Sequence, residues 1–197
     1  VFREPNTGCS RESHKHMEPI KQKQLQARSA LMQQFGMKNS MAAPRLTKVV
    51  VNVVTGSRRE KGRIELVSDR LAKITGQKPT SRPAKQSIAT FKSRQGDIVG
   101  VAVTLRGERM FGFLDKVLNV AIPRMRDFRG LSIRGVDEMG NYTMGIKEHT
   151  IFPETADEDL RDVFGFAMTV GTTAKNKEED EALLRALGFP FKKVEEA

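Results

Sequence analysis

Three side chains near the amino end, Cys9, His14 and His16, are of the types that bind a transition metal. They lack the paired spacing of a zinc site, so no metal is expected there. The remaining histidine, His149, falls at the end of an expected strand and reads as a packing or surface residue, not a general base. Acid–base catalysis by carboxylates needs a positioned, buried pair. Here the acids gather in first turns of helices and in loops, where solvation is the ordinary role. No Gly-x-x-x-x-Gly-Lys-Ser/Thr occurs, and no Gly-x-Gly-x-x-Gly follows a strand. Asn141-Tyr142-Thr143 matches a glycosylation sequon. With one cysteine and no internal disulfide, a reducing compartment is expected, which makes that match incidental. The residues therefore predict no enzyme, no metal and no cofactor.

What the side chains can do is bind a polyanion. Lys and Arg number 34 against 24 Asp and Glu, a formal net charge of +10 over 197 residues. The excess is localised. Residues 1–72 carry 14 bases and 6 acids, residues 73–134 carry 13 and 4, and residues 135–197 carry 7 and 14. A surface built only for solubility intersperses its signs. A middle block with four acids fits counterion release from a contacted phosphate backbone better. Aromatic residues make up only 6%, with no Trp and one Tyr, too few for a single-strand reader that stacks bases on rings. Most Phe residues fall at core or cap positions; Phe91 and Phe128 are the exceptions. Recognition should then work through phosphates, 2′-hydroxyls and shape, the mode suited to folded RNA. No stretch approaches the roughly 20 apolar residues of a membrane helix.

The elements that must position these charges can be read from periodicity. Residues 1–16 have no apolar h-region and read as a flexible extension; residues 17–193 read as one domain and 194–197 as a tail. Pro19 suits a helix start, with Leu31 and Phe35 four apart and Gly36 beyond them. Residues 46–54, rich in Val, predict a strand. Ile64, Val67, Leu71 and Ile74 define a helix ended by Gly76. Residues 86–92 and 98–105 predict two strands joined by Ser93-Arg94-Gln95-Gly96-Asp97. A helix over about 108–121 should stop at Pro123, and 124–140 should be a long loop. Strands near 142–149 and 164–173 and a helix over 177–187, acidic at its start and followed by Gly188, complete the chain. The order α-β-α-β-β-α-β-β-α predicts an α+β domain, a single antiparallel β-sheet with helices packed on one face, plus a basic hairpin arm. The other sheet face is then free for a partner.

Longer motifs add a family. They are residues 73–79 (Lys-Ile-Thr-Gly-Gln-Lys-Pro), 84–92 (Ala-Lys-Gln-Ser-Ile-Ala-Thr-Phe-Lys) and 103–110 (Val-Thr-Leu-Arg-Gly-Glu-Arg-Met). Residues 123–131 (Pro-Arg-Met-Arg-Asp-Phe-Arg-Gly-Leu), 140–148 (Gly-Asn-Tyr-Thr-Met-Gly-Ile-Lys-Glu) and 151–154 (Ile-Phe-Pro-Glu) follow in order. Over about residues 17–193 the chain resembles the bacterial-type large-subunit ribosomal protein five family, whose members bind 5S rRNA in the central protuberance. The resemblance implies a cytoplasmic ribosomal constituent, or an organellar one, that also meets large-subunit rRNA, peptidyl-site tRNA and neighbouring ribosomal proteins, one of them in the small-subunit head. It implies rRNA contacts by Asn52, Gln77, Lys78, Thr104 and Arg106, and a tRNA-facing arm carrying Lys85, Ser87, Lys92 and Arg94. Amides and hydroxyls suit sugars and base edges, whereas Lys and Arg suit phosphates. Three segments depart from the family pattern: Val53-Val54-Thr55-Gly56-Ser57-Arg58-Arg59-Glu60 stands where a Gly-x-Gly-Glu turn is usual, Lys85-Gln86 stands where a basic pair is usual, and Arg94-Gln95-Gly96 replaces Arg-Glu-Gly. The alternative reading is a free-standing RNA-binding regulator or chaperone on the same fold.

Overall fold

The computed structural model describes residues 19–55, 61–91, 93–126, 128–155 and 163–192. Helix α1 (Ile20–Gln34) starts directly after Pro19. It is followed by β1 (Leu46–Val54), α2 (Lys61–Thr75), β2 (Thr80–Pro83), β3 (Ile98–Leu105), α3 (Gly107–Lys116), a short α4 (Ile122–Arg124), β4 (Asn141–Ile146), β5 (Phe166–Thr172) and α5 (Lys177–Leu187). Gly36, Gly76 and Gly188 follow their helices with positive φ. Alternation with period two and helical periodicity of three to four were thus sufficient to find nearly every element.

The strands form one antiparallel sheet in the order β2-β3-β1-β5-β4, with β1 at its centre. Successive side chains of a strand point to opposite faces, and in β1 the consequence is complete. Val49, Val51 and Val53 are buried, while Lys48, Asn52 and Val54 are exposed and Val50 is half-buried. The buried face joins Val101, Val103 and Leu105 of β3, Phe166, Met168 and Val170 of β5 and Tyr142, Met144 and Ile146 of β4 in a single core. Leu31 from α1, Leu71 and Ile74 from α2, Leu114 from α3 and Leu183, Leu184 and Leu187 from α5 fill it from the helical side. Gly100 lets β3 approach β1 this closely, since a Cβ there would lie 2.3 Å from the Val53 carbonyl oxygen.

Two expectations need correction. The strand expected at 86–92 lies earlier, at β2, and residues 84–97 form a self-contained tip between β2 and β3. The tip folds on its own bonds: Ala84 N–H to the Asp97 carbonyl at 2.8 Å, Gly96 N–H to Ala84 at 3.0 Å, and an exchange between Ile88 and Ser93. A short 3-10 turn over Ala89–Phe91 occupies what had been read as strand. Local side-chain acceptors explain this: Ser87 Oγ accepts the Gln95 N–H and Asp97 Oδ2 accepts the Arg94 N–H, giving the backbone partners that a ladder would otherwise supply. Second, Pro123 does not stop the third helix. Residues Val117–Ala121 open into a π turn, with Ile122 N–H bonded to the Val117 carbonyl, and the wider turn admits the proline ring within α4. Within the segment read as a long loop, Val136 bridges to Tyr142 and Leu131 to Phe191.

At the start of α5, Asp180 is fully buried against Thr172 of β5. The Thr172 hydroxyl lies 2.6 Å from the Gly140 carbonyl and 2.9 Å from Asp180 Oδ1. A hydroxyl has one proton, and both neighbours are acceptors when the carboxylate is ionised. The single Thr172 proton is therefore shared between the Gly140 carbonyl and Asp180 Oδ1. Burial raises the Asp180 pKa, the hydrogen bond from Thr172 opposing it.

Candidate nucleic-acid interface

The helix-free face of the sheet is a field of small and polar side chains. Strand register aligns Thr80, Ala102, Asn52, Ala167 and Gly145 in one row, and Thr104, Val50, Thr169 and Thr143 in the next. Arg82 and Val54 flank Gly100 in a third row; Lys48 and Asn141 flank Gly171 in a fourth. None of these positions carries an acid. The chemistry is that of a surface a phosphate backbone can approach: hydroxyls and two amides for sugars, and two cations for phosphates.

The residues expected to contact rRNA converge at one corner of this face. β3 ends at Leu105, and Arg106 follows as the exposed residue that opens α3. The turn through Gly76 after α2 returns the chain to the same strand end, where Gln77 Nε2 donates to the Thr104 carbonyl at 3.4 Å. Lys78 is the next residue and is exposed. Asn52 pairs with Ala102, placing it diagonally from Thr104, and such neighbours are roughly 7–8 Å apart. Asn52, Gln77, Lys78, Thr104 and Arg106 thus come from three separate stretches of chain to one corner. Lys48, Arg82, Thr143 and Thr169 share the face but were missed, although alternation along each strand carried the signal.

The residues expected on an arm lie apart from this corner. Lys85, Ser87 and Arg94 sit in the tip beyond β2, all exposed, while Lys92 lies outside the described residues. Phe91 is 69% exposed in the same tip and Ile88 is 44%. Of the departing segment after Asn52, Val53 and Val54 continue β1, whereas residues 56–60 fall outside the described residues, as do Cys9, His14 and His16.

The groups with catalytic chemistry are committed to packing. His149 is fully buried, its ring stacked on Phe164 at 4.2 Å, with Nδ1 accepting the Phe164 N–H at 3.3 Å. Arg70 reaches its other nitrogen at 3.4 Å. Tyr142 lies in the core edge-on to Phe189 and Phe191, and burial pushes its hydroxyl pKa up to about 12. Among the described residues no group of three His, Cys, Asp or Glu could hold a metal ion.

A carboxylate-free face with a cationic corner narrows the partner to a polyanion; comparison with known proteins narrows the family. The family description "Ribosomal protein L5" matches residues 39–94, and "ribosomal L5P family C-terminus" matches residues 98–191. The chain belongs to the ribosomal protein L5 family. That family is one of ribosomal structural proteins, not enzymes. "Large ribosomal subunit protein uL5" of Anaeromyxobacter sp. (strain K) is 49% identical over 168 residues, 85% of this chain and 93% of the relative. Its counterpart in Dictyoglomus thermophilum is 48% identical over 179 residues, 90% of this chain and all of the relative. In Cupriavidus metallidurans identity is 51% over 164 residues, 83% and 91% of the two chains. The matched regions contain the whole sheet, the corner around Thr104 and all of the tip loop but residues 95–97. Among the described residues no helix is long and apolar enough to cross a membrane.

Proposed function

We propose that the chain is a structural constituent of the large ribosomal subunit that binds 5S rRNA through the open face and its cationic corner, helping to hold that RNA in the central protuberance. The observation that carries this reading is the gathering of Asn52, Gln77, Thr104 and Arg106 beside a sheet face free of acids, in a chain of this family. Arg106 and Lys78 supply phosphate contacts; Asn52 and Thr104 supply hydrogen bonds to sugars and base edges. The tip loop with Lys85, Ser87, Lys92 and Arg94 reaches toward peptidyl-site tRNA, and neighbouring ribosomal proteins, including one of the small-subunit head, complete its surroundings. Ser87 serves this role first by bracing the loop through Gln95.

Filter binding of folded 5S rRNA at rising salt tests the proposal. Affinity should exceed that for an unrelated duplex and fall linearly with log salt. Equal affinity for both at every salt concentration would remove the specific claim. Charge reversal at Lys92 and Arg94 should weaken contact with peptidyl-site tRNA while sparing 5S binding, and joint loss of both would show the arm to be misassigned.

A further inference from the structure

The sheet has a second binding feature at its other edge. β4 is an edge strand, and its inward backbone groups can be assigned from register. The Asn141 carbonyl accepts the Asp137 N–H, so the backbone groups of Asn141 face away from β5, and by antiparallel alternation those of Thr143 and Gly145 do too. Residues near 136 cover only the start of this edge, through the bridge to Tyr142. Beyond it, the N–H and C=O of Gly145 have no protein partner among the described residues. Beside this open edge runs a groove of about 600 Å³, floored by Met125, Phe128, Met144, Ile146 and Ile151. Among the described residues four cations line the same groove, Arg126, Arg129, Lys147 and Lys192, against one acid, Glu148. All four are exposed, and none makes an ion pair among the described residues.

We propose that this groove receives an extended acidic segment of another protein, which adds as a short sixth strand against Gly145 and places alternate side chains on the apolar floor and carboxylates on the cations. An unpaired strand edge offers main-chain hydrogen bonds in the spacing of a β-strand, and pockets for every second side chain then give specificity. Charge sets the sign of the partner. The apolar floor and the strand edge favour a peptide over RNA, because a phosphodiester backbone complements the cations alone. Gly145 carries no side chain and a Cβ built there meets nothing within 4 Å, so the sheet face above this strand position is open. The proposal does not depend on the RNA reading, since the edge lies at the far side of the sheet from the β2–β3 corner.

The test is titration of the isotope-labelled full chain with a capped peptide alternating Glu with Val, followed by amide NMR. Controls are the Lys–Val counterpart, the Glu peptide with proline at alternate positions, and folded 5S rRNA. Amide shifts should concentrate in residues 125–131 and 143–151, and exchange at the Gly145 amide should slow at least about tenfold at saturation. The double variant R126E/R129E, exposed at both positions, should weaken peptide binding by about tenfold or more while leaving the dispersed spectrum of a folded chain. Silence up to about 1 mM peptide, equal binding of the Lys–Val form, or full binding by the proline form would overturn the proposal. RNA that shifts the same groove amides and displaces the peptide would also overturn it, assigning the groove to RNA instead.

Discussion

The two faces of the same five strands do different work, and they differ by a single step along the backbone. On β1, Val49, Val51 and Val53 disappear into the core, while Lys48, Asn52 and Val54 meet solvent. On β3 the buried Val103 and Leu105 alternate with the half-buried Thr104. Stability is therefore written on one parity of positions, and the recognition proposed above would be written on the other. Because strand periodicity is two, a change on either face leaves the other nearly untouched. Substitutions across the sheet should separate folding from RNA binding.

The largest effect belongs to the covered face. Leu105→Ala and Met168→Ala each empty space at fully buried positions and should cost about 2–5 kcal/mol in denaturant unfolding. The remaining folded protein should bind 5S rRNA with unchanged affinity, and a loss of affinity equal to the loss of stability would erase the distinction between faces. Next in size, the K78E/R106E double variant should weaken RNA binding at least tenfold and lower the log–log salt slope by about 2, with stability within about 0.5 kcal/mol of the parent. Smaller still, Asn52→Ala and Thr104→Val should each cost about 1 kcal/mol of RNA affinity without changing the salt slope.

The smallest prediction is one of pH. Burial raises the Asp180 pKa above its ordinary value of 3.8, so the favourable protonated form is fully present in acid and is lost as pH rises through the native value. Asp180→Asn removes that loss. The variant should be the more stable protein at neutral pH, and thermal unfolding should show the gap closing as pH falls through the native value and gone near the ordinary 3.8. A gap that widens in acid would mean Asp180 is ionised in the native fold.

Much of this arrangement was legible in the residues. Runs such as Val49-Val50-Val51 and spacings such as Ile64, Val67, Leu71 and Ile74 report burial directly, because they repeat the period of their element. The failures occurred where backbone bonds are met locally. Residues 86–92 have strand-like composition, yet Ser87 and Asp97 cap the tip's own amides. Pro123 breaks a regular α-helix but not one already widened to a π turn. The corner residues were named through family motifs; alternation alone places Lys48, Thr143 and Thr169 on the open side of their strands, but bringing them onto one face needs the pairing of β1 with β5, which joins residues about 120 apart. The groove beside β4 had no counterpart in sequence reasoning, since it is made by residues 125–132 folding back along a strand edge.

The central position of β1 also has a consequence for synthesis. Its partners β3 and β5 begin more than 40 and 110 residues after it ends. At translation rates of about 5–20 residues per second, β1 waits roughly 5–20 s with one edge unfilled after it has left the ribosome. A Val-rich strand in that state is a template for pairing with other chains. Lys48 and Asn52, which interrupt the valines, place a charge and an amide on it throughout that interval. Side chains on the face proposed for recognition in the finished protein would thus also guard the nascent one.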